Sequence, residues 1–187
     1  MAVDSAVEAA VPVVVVHPGA GEMNIKRFLK HTLMPPFLAR RVFTPAVMRR
    51  VEQAISDSER MHRGELRVAV EASLDPGPLL RGQSPRARAE EVFSQLRVWD
   101  TAENSGVLLY VNWADRDIEI VADRGISARV KQDEWEAVCL AIEQSFRAGR
   151  FEEGLVEGIR QITRLLAMHF PAATDNVDEL GNRPVML

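Results

Sequence analysis

Seven consecutive residues, Gly106-Val107-Leu108-Leu109-Tyr110-Val111-Asn112, constrain this chain most. Val107 to Val111 are apolar without alternation, the pattern of a strand buried on both faces. Such a strand must be covered from two sides. Trp113-Ala114-Asp115-Arg116 follows as a turn, and Asp117-Ile118-Glu119-Ile120-Val121-Ala122 reads as a second strand. So short a connection makes the pair an antiparallel hairpin.

The flanking elements supply the cover. Thr44 is a good N-cap and Pro45 suits a first helical position. Met48, Val51 and Ile55 then form an apolar stripe toward Met61. After Gly64, residues Leu66, Val68 and Val70 alternate with Arg67, Ala69 and Glu71, the period of a strand. Asp75-Pro76-Gly77-Pro78 reads as a loop. Pro85 opens a helix with Ala89, Val92, Phe93 and Leu96 on its buried face. That helix joins two strands, which are therefore parallel. Asp133-Glu134 starts a helix bearing Trp135, Val138, Cys139, Ile142 and Phe146, stopped by Gly149. A last helix carries Phe151, Leu155, Ile159, Ile162 and Leu166 and ends before Pro171. Gly154 and Gly158 lie one turn apart in it; each costs about 1 kcal/mol there, so close backbone packing is expected. The order helix, strand, helix, strand, strand, helix, helix gives an α/β sandwich around a small mixed sheet.

Domain limits follow from composition. Residues 1–22 read as a disordered extension or a mis-assigned start, 23–44 as a basic arm, 45–170 as one α/β domain and 171–187 as a polar tail pinned by Val185-Met186-Leu187. Residues 24–63 hold 9 Lys and Arg against 3 Asp and Glu, whereas residues 64–187 hold 14 against 21. In the arm, Ile25, Phe28, Leu29 and Leu33 recur at helical spacing among Lys26, Arg27 and Lys30, until Pro35-Pro36 breaks the helix. This pattern suits an anionic membrane surface or packing against the chain's own domain. It lacks the aromatic interleaving of a nucleic-acid surface. The single cysteine, Cys139, cannot form an internal disulfide and falls on a buried helix face as an inert core thiol. No apolar run approaches the roughly 20 residues of a membrane span. A cytoplasmic protein, peripheral to a membrane at most, is expected.

The chemistry concentrates at one end of the sheet. The first strand starts at Glu65, the second just after Asn104, and the third, running backwards, ends at Asp123. Glu65, Asp100, Glu103, Asn104 and Asp123 are thus the candidate metal ligands. Carboxylate and amide oxygens suit a hard cation, Ca²⁺ or Mg²⁺. Asp100, Asp123, Arg124 and His62 are candidate catalytic groups, because a metal beside Arg124 and His62 could polarise a phosphate ester. The bland alternative makes Asp100, Thr101 and Asn104 turn-formers and pairs Glu65 with an arginine. Asp115 and Asp117, at the opposite end, read as a solvated hairpin tip. His17, His31 and His169 have no zinc spacing.

From Val47 to Phe170 the chain resembles the TPM domain family, named after a thylakoid lumen protein, a photosystem II repair protein and a receptor modulator. The resemblance rests on Glu65 at the start of Gly64-Glu65-Leu66-Arg67-Val68-Ala69-Val70, and on Asn104-Ser105-Gly106-Val107-Leu108-Leu109. It rests also on Asp115-Arg116 before Ile118-Glu119-Ile120, and on Phe146-Arg147-Ala148-Gly149-Arg150-Phe151-Glu152-Glu153-Gly154-Leu155. It implies a three-layer α/β/α sandwich, Rossmann-like in appearance. No nucleotide is implied, since no Gly-rich phosphate loop follows the first strand. It also implies calcium binding or phosphatase activity, both attributed to members, and work in the upkeep of membrane complexes. The expected function is a divalent-cation-binding interaction module with a protein or membrane-surface partner. The alternative is a weak metal-assisted phosphatase acting on phosphate monoesters.

Overall fold

A computed structural model of the protein describes residues 13–14, 25–172 and 178–187. The expectation for residues 1–22 lies outside the described residues apart from a two-residue strand, β1 (Val13–Val14). Then follow α1 (Ile25–Leu33), α2 (Pro36–Val42), α3 (Pro45–Glu59), β2 (Glu65–Glu71), α4 (Pro76–Leu80), α5 (Pro85–Gln95), β3 (Gly106–Asn112) and β4 (Asp117–Ala122). The chain continues through α6 (Arg124–Ser127), α7 (Gln132–Arg147), α8 (Phe151–His169) and β5 (Val185–Met186).

The sheet order is β1-β4-β3-β2-β5. β2 and β3 are parallel, with Glu65 opposite Gly106 and Glu71 opposite Asn112. β3 and β4 form the antiparallel hairpin, from Val107 opposite Ala122 to Asn112 opposite Asp117. All seven residues of β3 are buried. Leu66, Val68, Val70, Val107, Leu109, Val111, Ile118 and Ile120 face a core shared with α3, α7 and α8. Ala69, Leu108, Tyr110 and Val121 face the other way, onto Ala89, Val92 and Phe93 of α5. Helices therefore cover both faces, and the fold is a three-layer α/β/α sandwich.

Local chemistry explains the boundaries. The Thr44 side chain accepts a hydrogen bond from Val47 N at 3.3 Å, capping α3 ahead of Pro45. Ser84 caps α5 through Ala87 N at 3.1 Å. Gly149, at φ +77°, takes the left-handed conformation that ends α7. A Cβ on Gly158 would stand 2.4 Å from Ile142 Cδ1, so α8 can approach α7 only with glycine there. Below the sheet, Tyr110 Oη donates to Glu71 at 2.5 Å, and Arg88 holds the same carboxylate through Nε and Nη2, both at 2.9 Å. This network ties α5 to β2. Cys139 is buried, and desolvation pushes its thiol well above the ordinary range.

Four features differ from the sequence reading. Pro76-Gly77-Pro78 starts a short helix rather than remaining loop, since proline is compatible with a first turn. Pro35-Pro36 does break the arm helix, since α1 ends at Leu33, but the second proline then begins a further helix, α2. β5 adds a strand parallel to β2, and Leu187 N donates to Val70 O at 2.9 Å. Asp115 is not a solvated tip. Its Oδ2 accepts from Arg27 Nε at 2.9 Å, and its Oδ1 lies 3.0 Å from His31 Nε2. His31 Nδ1 accepts from Leu74 N at 2.9 Å, so that nitrogen carries no proton and Nε2 does. Arg27 Nη1 adds a hydrogen bond to Gln83 O at 2.7 Å. The arm helix α1 is thereby fastened to the hairpin end of the domain.

Candidate functional site at the Glu65–Asp123 end of the sheet

Strand registry brings Glu65, Gly106 and Asp123 to one end of the sheet. Glu65 pairs with Gly106, and Asp123 N donates to Gly106 O at 2.8 Å. Between α5 and β3 the chain makes a tight turn. Asn104 N donates to Thr101 O at 3.2 Å, and Ser105 N donates to Thr101 Oγ1 at 2.8 Å. Asn104 sits at φ +52°, which asparagine tolerates better than most residues. Two oxygens of that turn pack onto α6: a Cβ on Gly125 would lie 2.5 Å from Glu103 O and 2.6 Å from Asn104 O. Gly125 N instead donates to Asn104 O at 3.0 Å.

Asp123 stands where β4 gives way to α6. Its Oδ1 accepts from Arg124 N at 2.7 Å. Its Oδ2 is buried and accepts no hydrogen bond from the described residues. Buried polar atoms are nearly always satisfied, and of the buried carboxylate oxygens that accept no hydrogen bond from the described residues this is the one beside the turn. Arg124 is exposed and donates from Nε to Asn104 Oδ1 at 2.9 Å. Asn104, Asp123 and Arg124 therefore form one connected group.

The other sequence candidates go elsewhere. Asp100 is exposed on the same turn. Glu103 is exposed and paired with Arg63, whose Nε also donates to Pro171 O at 3.2 Å. Glu65 is buried and turned toward the tail, where its Oε2 accepts from Leu180 N at 3.2 Å. His62 is completely buried, with Nε2 2.7 Å from Ser58 Oγ, which lies 2.7 Å from Thr163 Oγ1. Desolvation lowers His62 to about 4, so it is neutral at pH 7 and faces the α3–α8 core rather than the turn. Among the described residues, no group of three or more His, Cys, Asp or Glu forms a ready metal cage.

Glu59 and the tail residues Glu179 and Leu180 join this end of the sheet without having been candidates in the sequence. Glu59, the last residue of α3, is buried and its Oε1 lies 3.4 Å from Leu66 N. Burial, reinforced by the charge of Glu65, raises its carboxyl to about 8. Burial also raises Glu65 to about 7, with Asp178 adding to the shift and Leu180 N opposing it. Tail residues lie across this end. Arg67 Nη1 donates to Leu180 O at 3.0 Å, and Glu179 Oε2 accepts from Ala102 N at 2.9 Å. The one available sequence signal was two glutamates six residues apart, one ending a helix and one starting a strand. None of the candidate site residues lines the groove of about 640 Å³ formed by Arg40, Phe43, Met48, Glu52, Arg183 and Met186.

Oxygen donors at the turn suit a hard cation, and the orphaned Asp123 Oδ2 is a fitting first ligand. Two cationic side chains already stand on neighbouring donors, Arg124 on Asn104 and Arg63 on Glu103. A cation would need at least Glu103 to exchange partners.

Comparisons with known proteins agree with this architecture. No curated protein matches the chain. Among solved structures, the BA42 protein of the psychrophilic bacterium Bizionia argentinensis, determined by NMR, shares 34% identity and superposes with a TM-score of 0.66. The match covers 77% of this chain and 94% of that one. The model of the TPM domain matches residues 39–165, which include the Asn104 turn, the hairpin and the Phe146–Leu155 element that carry the resemblance in sequence. On that match and on the shared fold, the chain belongs to the TPM domain family.

Proposed function

We propose that the protein is a divalent-cation-binding interaction module whose ligands come from the Asp100–Asn104 turn and Asp123. The observation that supports this reading is Asp123 Oδ2, a buried carboxylate oxygen with no donor among the described residues, beside a turn that bears two exposed carboxylates. A hard cation would satisfy that oxygen and neutralise the turn. Asp100 and Glu103 are exposed and free to rotate inward, Glu103 at the cost of its surface pairing with Arg63, a weak contact in water. Glu65 stays with the tail in this reading. Trp99, half exposed next to Asp100, offers a protein partner an aromatic contact at the same place.

Calorimetric titration of Ca²⁺ and of Mg²⁺ into the full chain tests the reading. Binding should be measurable and should fall at least tenfold in Asp123→Asn. Absence of heat at millimolar metal, or binding unchanged by that substitution, overturns it.

A second reading, a weak metal-assisted phosphatase, draws on Arg124, an exposed guanidinium held beside Asp123 that could take phosphate oxygens. Asp123 and Asp100 would hold the metal, and the metal would supply a more acidic water as nucleophile. Neither Glu65 nor His62 faces the turn, so no general base stands apart from the ligands. This favours binding over catalysis. Metal-dependent hydrolysis of a simple aryl phosphate, lost in Arg124→Ala with cation binding retained, would reverse that order.

A further inference from the structure

Of eleven large apolar side chains exposed among the described residues, five fall between positions 25 and 38: Ile25, Leu29, Leu33, Phe37 and Leu38. The first three lie at i, i+4 and i+8 of α1, a single stripe on one face. Arg27 and His31, on the opposite side of α1, are the residues that hold the domain. The apolar stripe therefore points away from the core that should have covered it. Ile25 is 68% exposed and Leu33 73%, so none of the described residues covers the stripe.

Charge identifies the occupant. Between Ile25 and Val51 there are seven Lys and Arg and no Asp or Glu. Lys30 follows Leu29 directly, and Arg40 and Arg41 follow Phe37 and Leu38 on α2. Arg41 stacks 5.3 Å above the Phe37 ring, presenting its cation and an apolar surface together. Arg40 is also a wall of a groove in which three arginines, Arg40, Arg49 and Arg183, outnumber one acid, Glu52. An apolar stripe rimmed by Lys30, Arg40 and Arg41 complements an anionic bilayer: the side chains enter the acyl boundary and the cations meet the headgroups.

We infer that the outer face of α1 and α2 is a docking surface for an anionic lipid bilayer. The anchor is rigid, because Asp115 clamps α1 to the hairpin tip of the sheet. The Asp100–Asp123 turn, at the other end of the sheet, then faces water while the protein is docked. The inference is independent of cation binding.

Flotation of the full chain tests it, with vesicles of phosphatidylcholine alone and with added phosphatidylserine, both in the presence of a chelator. The protein should float with the anionic vesicles, remain behind with the neutral ones, and be released by salt. Each of Lys30→Glu and Arg41→Glu should lower the partition coefficient about fivefold or more. Leu29→Glu with Leu33→Glu should abolish binding, and the melting curve should show that this variant is folded. Leu140→Glu, which removes an exposed leucine from α7, should float like the parent, as should Asp123→Asn. Equal recovery from both vesicle types overturns the inference. So does light scattering that reports a dimer broken by the leucine pair together with no vesicle binding, since a second copy would then be the cover.

Discussion

Asp115 and Glu65 stand at opposite ends of the sheet, and burial pushes both carboxyls up. At Asp115 that push is outweighed by His31 and Arg27, and the net shift is downward. At Glu65 no cation intervenes. Its partners are the backbone N–H groups of Leu180 and Glu179 and the carboxylates of Asp178 and Glu179, and burial carries the net shift upward, to about 7. The difference teaches what each end is built for. The hairpin end pairs its charge and so locks an arm in place. The other end gathers acids (Glu59, Glu65, Asp178) whose mutual repulsion favours protons, and beside its turn Asp123 Oδ2 accepts no hydrogen bond from the described residues.

The comparison breaks most severely at the orphaned end with Gly125→Ala. The new Cβ would press on two backbone oxygens, and we expect a loss of about 3 kcal/mol in urea denaturation. A neutral result would mean that α6 is not seated on the turn. At the paired end, Asp115→Ala leaves His31 and Arg27 without their carboxylate. We expect a loss of about 2 kcal/mol, with protease cleavage between Leu33 and Pro45 appearing as α1 detaches.

The two ends should also differ in pH dependence. Glu59 and Glu65 have folded values raised above their unfolded ones, so folding takes up protons and their contribution is greatest in acid. It is lost as pH rises through about 7 to 8. Asp115 has the reverse sign: its contribution is present at neutral pH and is lost in acid, as pH falls through its lowered folded value. Thermal melts from pH 5 to 9 should show stability falling on the order of 1 kcal/mol after solvent screening. Glu59→Gln with Glu65→Gln should flatten that slope, and Asp115→Asn should leave it alone. The smallest effect belongs to Arg63→Ala. Its exposed pair with Glu103 should be worth less than about 0.5 kcal/mol. Freed from Arg63, Glu103 should bind Ca²⁺ more readily, and calorimetry should register a tighter site; unchanged affinity would remove Glu103 from the ligand set.

Legibility in the sequence followed the range of the interactions. The limits of β3 and β4 could be read to the residue, because a double-sided apolar run and a four-residue turn are local signals. So could Thr44 at its cap and the glycine pair of α8. The shared sheet end of Glu65, Asn104 and Asp123 followed from strand direction alone. The side-chain destinations did not. Glu65 meets Leu180 across 115 positions, and Arg27 meets Asp115 across 88. His62 looked adjacent to the turn because it precedes Glu65 by three residues, yet its ring enters the α3–α8 core.

The sequence by itself determined the layers, the strand directions and the family, since these rest on periodicity, capping and turn chemistry that each segment carries alone. Only the tertiary structure decided which charges are paired. A carboxylate at a strand end is read the same way from its neighbours in the chain whether a distant helix brings it an arginine or a distant tail brings it another acid. Burial then makes that distinction count, because in low dielectric a missing partner moves protons as well as energy.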